Sequence, residues 1–269
     1  MSYADLFSRA EVRATAGMVA AVAIALVARN RRALSASGAL AAVVVATACA
    51  AAGLSWAVML ILFFIAGTAL SHIGAEKRHV SMGDVVEKTG ARDAWQVFAN
   101  GGVFAMIALA SLSLPSPTWQ VVGAGAIAAS SADTWATEIG TLSRRAPRSI
   151  VGWAPVAIGT SGGVTWLGMC AALGGAAFVA GVTFLSGWPW SAACAALVGG
   201  FAGSIIDSIL GATLQVRRRC TSCGKDTERV IHGCGSATEI IGGVRLLDND
   251  AVNLISSIGG AMAGALCLL

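Results

Sequence analysis

Three cysteines and one histidine lie close together towards the end of the sequence, in the pattern C-x2-C-x8-H-x-C. They are Cys220, Cys223, His232 and Cys234. Thiolates and imidazole are the ligands that zinc takes in closed tetrahedral sites, which stabilise loops and leave no position open for catalysis. The pattern therefore predicts a structural Zn²⁺ site. The alternative is a metal-free loop in which the thiols cluster by chance.

Three carboxylates, Asp133, Glu138 and Asp207, interrupt otherwise apolar stretches of the chain. An unpaired carboxylate at the centre of a membrane helix costs about 2.5–3.5 kcal/mol, so each of these needs a partner. A metal or phosphate site would supply one, and the alternative is a structural salt bridge with a loop arginine. Asp133 and Glu138 are five positions apart and share no face of a regular helix. The small polar residues around them permit a break in the helix.

A further group of oxygen ligands lies in the segment 247–253. Asp250 and Asn253 are three positions apart and would share one face of a helix, where their oxygens suit Mg²⁺. Asp248 is a second candidate, although an aspartate at a helix start also acts as an N-cap.

Cations, amides and glycines that suit phosphate oxygens occur in several connections between apolar stretches. Guanidinium groups can hold phosphate through paired hydrogen bonds, and a glycine-rich turn before a helix can offer backbone N–H groups. The alternatives are ordinary loop charges and, for glycines such as Gly203 and Gly211, close helix packing. The candidate phosphate-binding residues are Lys77, Arg78, Arg92, Gln96, Asn100, Arg148, Thr160, Ser161, Gly162 and Gly163.

The elements that carry these residues must lie in a membrane. Only 12% of the 269 residues are charged and 56% are hydrophobic, and the mean hydropathy is +0.75. Such a chain cannot solvate the surface of a soluble domain, which excludes a soluble nucleic-acid binder or a secreted disulfide scaffold. With 6% aromatic residues and a single tyrosine, a membrane barrel is excluded as well. We expect an all-α, polytopic membrane protein whose helices pack through small residues.

Runs long enough to cross about 30 Å of hydrocarbon occur about eight times. The second and third runs are joined so tightly at Gly53 that they could form one re-entrant pair. The predicted spans are 12–28, 33–52, 54–71, 97–114, 119–142, 162–186, 190–214 and 251–269.

The basic residues are concentrated in every second connection, which places most of them on one side of the membrane. All of the 18 Lys and Arg residues except Arg9 and Arg13 fall in the connections after the first, third, fifth and seventh spans. The positive-inside rule places these connections in the cytoplasm and both termini outside. We expect one membrane-embedded domain over residues 1–269, with residues 215–250 as a cytoplasmic loop around the zinc cluster.

Six segments together resemble the domain of unknown function 92 family of multi-pass membrane proteins, which includes plant phytyl-phosphate kinase and an animal transmembrane protein of unclear role. The segments are ordered along about two thirds of the chain, and the first two spans contribute none. They are GARDAWQVFANG at 90–101, SADTWATEIG at 131–140, PRSI at 147–150, GTSGGVT at 159–165, GSIIDSILGATLQ at 203–215 and LDNDAVNL at 247–254.

The resemblance implies a kinase that converts an isoprenoid monophosphate to the diphosphate, with CTP or another nucleotide as donor. As a hypothesis that agrees with this chemistry, we assign Asp133, Asp207 and Asp250 as Mg²⁺ ligands, with Glu138 as a further ligand or base. Lys77, Arg92 and Arg148 would hold phosphates and the Gly162–Gly163 pair the nucleotide, while Asn100 and Asn253 would orient them. The lipid tail would lie between helices at the cytoplasmic leaflet.

Two other classes of function stay open from the sequence. A transporter also keeps acidic residues and broken helices within the membrane, although no inverted repeat is visible. A non-enzymatic scaffold would explain the glycines but leaves the carboxylates without a purpose. For location, a prokaryotic cytoplasmic membrane is favoured over an organelle, because no transit-like extension precedes the first span.

Overall fold

The computed structural model describes residues 9–73 and 90–269 and contains eight long helices in that part of the chain. One helix lies in each predicted span, so the polytopic helical fold is confirmed. Among the described residues, six of these helices are long and apolar enough to cross a membrane, α2 is a shorter apolar helix, and α5 belongs to neither group. The helices are α1 (Ala10–Asn30), α2 (Ala36–Ala52), α3 (Leu54–His72), α4 (Ala94–Ser113), α5 (Thr118–Gly140), α6 (Trp166–Leu185), α7 (Trp190–Thr213) and α8 (Asn249–Ala265).

Local chemistry explains where several helices begin and end. The side chains of Ser35, Asp93, Thr165 and Asp248 each accept a hydrogen bond from a backbone N–H in the first turn of α2, α4, α6 and α8 respectively. Gly53 separates α2 from α3 with a φ of 155°, a value that side chains disfavour. The second and third predicted spans are therefore two separate helices.

The helix α5 is surrounded by others and packs against α4, α6, α7 and α8. Most of its residues from Val121 to Ala132 are buried. It continues without interruption through Asp133 and Glu138, so the break that the sequence permitted is absent. The two carboxylates face groups on neighbouring elements, Asp133 facing Asp207 and Glu138 facing Arg92.

Glycines allow α5, α7 and α8 to approach one another at backbone distance. A Cβ atom built on Gly125 would lie 2.5 Å from the carbonyl oxygen of Gly260, and one on Gly260 would lie 2.9 Å from the carbonyl oxygen of Gly199. Gly203 faces Ala129 and the backbone of Ser256 in the same way. These contacts are the small-residue packing expected of membrane helices.

Two small sheets lie in the connections. In the α5–α6 connection, β1 (Arg148–Ser149) pairs antiparallel with β2 (Gly163–Val164). In the α7–α8 connection, β3 (Arg217–Cys220) lies between β4 (Asp226–Thr227) and β5 (Thr238–Gly242), antiparallel to both. A short 3₁₀ turn, Leu266–Leu268, ends the chain.

The segment before α4 is tied to the α1–α2 connection. The backbone N–H of Arg92 donates to the carbonyl of Ala33 at 3.0 Å, and the N–H of Ser35 donates to the carbonyl of Arg92 at 3.0 Å. These bonds fix the position of Arg92 at the same end of the helical bundle as the two sheet-bearing connections.

Candidate functional site

A polar cavity of about 330 Å³ lies at the end of the bundle where these connections gather. It is enclosed by α5, α7, the starts of α4 and α8, and both sheet-bearing connections. The predicted site residues that line it are Arg92, Gln96, Asn100, Asp133, Glu138, Thr160, Ser161, Gly162, Gly163, Asp207 and Asn253.

The two carboxylates from different helices, Asp133 of α5 and Asp207 of α7, meet in this cavity. Their side chains lie within hydrogen-bonding reach of each other. The Oδ2 atom of Asp207 is buried and has no hydrogen-bond partner among the described residues. Two carboxyl groups this close cannot both stay charged without a proton or a cation between them. The pair is therefore suited to a hard cation.

Arg92 lines the same cavity as that pair and lies close to Glu138. Its Nη1 atom donates to the hydroxyl of Thr68 at 3.3 Å, and its guanidinium lies 5.8 Å from the ring centroid of Phe64. Burial lowers the pKa of Arg92, and the nearby charge of Glu138 opposes that shift. Glu138 thus faces a cation, in keeping with the salt-bridge alternative for this residue.

The start of α4 orders two amide side chains at the cavity wall. The carboxylate of Asp93 accepts from the N–H of Gln96 at 3.0 Å, and the side-chain oxygen of Gln96 accepts from the N–H of Asp93 at 3.1 Å. One turn later, Asn100 donates to the carbonyl of Gln96 at 3.0 Å. This capping box holds both amides against the cavity.

The glycine-rich turn before α6 packs against α7 beside Asp207. A Cβ atom on Gly162 would lie 2.5 Å from the carbonyl oxygen of Ser208, and the φ of Gly162 is 74°. The N–H groups of Thr160 and Gly163 are used within the turn, whereas those of Ser161 and Gly162 have no backbone partner in the described part of the chain. The turn could offer those two groups to a phosphate.

Arg148 is not brought into the polar cavity. Its Nη1 atom donates to the carbonyl of Trp153 at 2.8 Å, and it lines a surface depression that adjoins the polar cavity. Arg145, three residues earlier, lines the polar cavity instead. This connection contains three arginines, Arg144, Arg145 and Arg148, and the fold determines which of them reaches the site.

Of the acidic residues at the start of α8, Asp248 takes the capping role that the sequence allowed, and Asp250 does not line the cavity as expected. Asp248 is the N-cap and accepts from the N–H of Ala251 at 2.9 Å. Asp250 is buried but does not line the cavity, whereas Asn249 and Asn253 do. Asp250 and Asn253 both lie in the first turns of α8, as the sequence predicts. The residues of α8 that line the cavity, however, are Asn249 and Asn253.

Two predicted phosphate-binding residues, Lys77 and Arg78, lie in 74–89, outside the described residues. Their roles stay predictions.

The fold also brings Glu228, which the sequence does not single out, into the cavity. It comes from the α7–α8 connection, just after β4. Its carboxylate accepts hydrogen bonds from the hydroxyl of Ser161 and, at 3.0 Å, from the side-chain amide of Gln215. Its charge acts on Asp207. Nothing in its local sequence signals this role, because the contact depends on how the loop folds back.

The four metal-ligand candidates are gathered in the same connection. One ligand atom from each of Cys220, Cys223, His232 and Cys234 lies within 4.8 Å of the other three. The Nδ1 atom of His232 lies 3.1 Å from the sulfur of Cys234 and 3.4 Å from that of Cys223. A hydrogen bond with His232 is the main reason that the pKa of Cys234 is lowered to about 6, which favours the metal-binding thiolate. The cluster could hold a metal ion.

Comparison with known proteins shows that the chain is similar to integral membrane proteins. Residues 19–261 match the family described as integral membrane protein DUF92. Protein PGR of Arabidopsis thaliana is 34% identical over 255 residues, covering 84% of this chain and 86% of that protein. An uncharacterized membrane protein of Methanocaldococcus jannaschii is 28% identical over 215 residues, covering 80% and 76% of the two chains. No solved structure matches. This chain belongs to the DUF92 family of integral membrane proteins.

Proposed function

We propose that this protein is a membrane kinase that transfers a phosphoryl group from CTP or another nucleoside triphosphate to an isoprenoid monophosphate, giving the diphosphate. The observation that carries the proposal is the meeting of Asp133 and Asp207 in one polar cavity. Around this pair the same cavity gathers arginines and a glycine-rich turn. Phosphoryl transfer needs this combination of metal ligands, cations and backbone donors, and little covalent chemistry.

Magnesium fits the acidic pair. The oxygen of Asp207 that has no partner among the described residues, the adjacent carboxylate of Asp133 and the amide oxygen of Asn253 are donors of the type that Mg²⁺ prefers. When bound, the ion neutralises negative charge on the phosphate groups. Asp250 lies outside the cavity lining, so we leave it out of this set.

The reaction that we propose balances without a general base. An oxygen of the lipid monophosphate attacks the terminal phosphorus of the nucleotide, the bond to the bridging oxygen breaks, and a nucleoside diphosphate leaves with that oxygen. Because the monophosphate oxygen is already deprotonated at neutral pH, no proton has to move. Arg92 and Arg145 would hold the lipid phosphate, and the turn at Ser161 and Gly162 would hold the nucleotide phosphates.

The proposed site lacks the usual nucleotide-binding loop. The sequence contains no G-x4-G-K-S/T motif. The turn 159–163 would therefore bind the nucleotide phosphates in place of that loop. The resemblance of the six segments to a family with a plant phytyl-phosphate kinase supports an isoprenoid phosphate as acceptor.

We further propose that the Cys/His cluster binds a structural Zn²⁺ ion. The three thiols and the imidazole form a closed donor set, which suits zinc and leaves no open position. Its role would be to fold the connection that places Glu228 beside Ser161.

The positive-inside rule supports placing the active side in the cytoplasm, and the prediction from sequence favours a prokaryotic cytoplasmic membrane. Both remain part of the proposal.

Product analysis tests the function directly. Purified, folded protein is incubated with Mg²⁺, a prenyl monophosphate and CTP, ATP, GTP or UTP in turn, and the lipids are separated. The proposal expects a prenyl diphosphate with at least one donor. No diphosphate from any pair would overturn it and would favour the transporter that the sequence leaves open.

A further inference from the structure

A second cavity, of about 580 Å³, adjoins the polar cavity and is enclosed by α1, α2, α3 and α4. The two cavities share Arg92, Gln96, Asn100 and Thr134 in their linings. A ligand could therefore occupy both at once, with one part of it on each side of Arg92.

The second cavity is apolar along most of its wall. Its lining is built from small and aliphatic side chains such as Ala42, Ala46 and Ile24, with Phe63 and Phe64 from α3. The charged residues that line it in the described part of the chain are Arg92 and Arg13, and no carboxylate does so there. This distribution suits a molecule with an apolar chain and an anionic head.

Arg13 lies at the end of this cavity away from Arg92. Its Nε and Nη2 atoms donate to the carbonyl of Ala51, at 3.0 and 2.8 Å, and so join the first turn of α1 to the end of α2. Along α1 the lining extends from Arg13 to Ala25, a rise of about 18 Å. The cavity therefore covers more than half of the roughly 30 Å hydrocarbon core of a bilayer.

We propose that this cavity holds the apolar tail of the lipid phosphate and that the Arg13–Ala51 contact limits the length of tail that it accepts. The inference rests on the proposed function for the phosphate end, because the head would reach Arg92 and the acidic pair. The tail would extend deep between α1 and α4 rather than lie at one leaflet. Tails longer than the cavity would meet the guanidinium of Arg13 and the carbonyl of Ala51. Hydrocarbon cannot form hydrogen bonds with either group.

Binding tests the tail site without any need for turnover. Native mass spectrometry in detergent would measure the affinity of farnesyl, geranylgeranyl and decaprenyl monophosphate for the full-length protein. Ala46→Phe would fill part of the cavity and should weaken binding of geranylgeranyl monophosphate about 10-fold or more. Ala23→Phe is the matched control, because Ala23 is an exposed residue of α1 that does not line the cavity. It should bind like the wild type.

The proposed limit on tail length makes a second prediction, about the preference for short over long tails. The wild type should bind decaprenyl monophosphate more weakly than the geranylgeranyl compound, and Arg13→Ala should reduce that difference. Equal binding of all tails by the wild type, or an unchanged preference in Arg13→Ala, would overturn the limit. Equal loss in Ala46→Phe and Ala23→Phe would overturn the tail site.

The binding assay separates this inference from the kinase. If the wild type binds prenyl phosphates with the expected dependence on Ala46 but forms no diphosphate, the tail site stands and the kinase fails. If diphosphate forms while Ala46→Phe leaves both binding and chain-length preference unchanged, the kinase stands and the tail site fails. Retention of bilayer phospholipid in place of every prenyl phosphate would count against the inference.

Discussion

At the scale of single residues, the polar cavity brings an acidic pair and an arginine into one lining. Asp133 and Asp207 face each other, whereas Arg92 is held by Thr68, Phe64 and the charge of Glu138. Under the proposed function, the acidic pair would hold Mg²⁺ and Arg92 would hold phosphate. The arrangement leaves both kinds of group available to a substrate.

Arg92 offers a test of phosphate binding. Arg92→Lys keeps the charge but loses the planar fork that can hold Thr68 and a phosphate together. We expect about a 10-fold rise in KM for the lipid phosphate, the effect of one charge-assisted hydrogen bond, with a smaller change in kcat. Arg148→Lys is the control, because Arg148 lies outside the polar cavity. A rise in KM for Arg148→Lys and none for Arg92→Lys would contradict the assignment.

At the scale of elements, the α7–α8 connection links the metal-ligand cluster to the polar cavity. Glu228 lies between Thr227, in β4, and His232, and it reaches Ser161 in the other sheet-bearing connection. A change in the fold of this connection would therefore move a carboxylate next to Asp207.

Loss of the proposed Zn²⁺ ion should thus reduce the proposed activity indirectly. We expect about one zinc per chain in the wild type and less than about 0.2 in Cys234→Ser, together with faster proteolysis within 215–250 and slower turnover. Elemental analysis, limited proteolysis and kinetics would measure the three effects. Cys170→Ser is the matched control, since Cys170 is an exposed cysteine of α6 outside the cluster. Equal zinc content in both variants would argue against the site.

Helix packing makes its own prediction. In Gly260→Ala the new methyl group would meet the Cβ atom of Ala129 and the backbones of Gly125 and Gly199, which should lower the free energy of unfolding by about 1–3 kcal/mol. In Gly181→Ala the methyl group would meet nothing within 4 Å, so stability should be equal or slightly higher. Thermal unfolding in detergent compares them, and equal losses would contradict the packing described for α5, α7 and α8.

Element positions could be predicted from the sequence because each helix needs only an apolar run of sufficient length, and proline, glycine or charge marks its ends. Spacing along the chain does not bring Asp133 to Asp207, because their meeting depends on how α5 packs against α7, and only the resemblance to a family grouped the two residues in advance. The contact between Glu228 and Ser161 also depends on tertiary structure, because the two residues lie in different connections. The local sequence identifies Asp248 as a candidate N-cap. Which residues of α8 line the cavity, Asn249 and Asn253 rather than Asp250, depends on how the helices pack.

At the scale of the whole molecule, the fold concentrates polar groups at one end of the helical bundle. Arg92, the glycine-rich turn and Glu228 reach this end from three different connections. Those connections hold most of the basic residues, which the positive-inside rule assigns to the cytoplasm. A cytoplasmic nucleotide would then meet a lipid phosphate without either having to cross the membrane.

Thiol labelling tests this orientation. Ser116→Cys would place a thiol in the turn between α4 and α5, and Val151→Cys would place one in the α5–α6 connection, both at exposed positions. We expect a membrane-impermeant maleimide to label Ser116→Cys in intact cells and Val151→Cys after permeabilisation, with the wild type as background. The reverse pattern would invert the topology and move the polar cavity outside.

The most direct measurement of the central claim is transfer of label from γ-labelled nucleotide to a prenyl monophosphate by wild-type protein and by Asp207→Asn. Asp226→Asn is the control, because Asp226 forms an exposed ion pair with Arg219 at 2.7 Å. We predict labelled diphosphate with the wild type and with Asp226→Asn, and a loss of about 100-fold or more with Asp207→Asn, at unchanged folding by size-exclusion chromatography. Transfer at the wild-type rate by folded Asp207→Asn, or none by the wild type, would contradict the account.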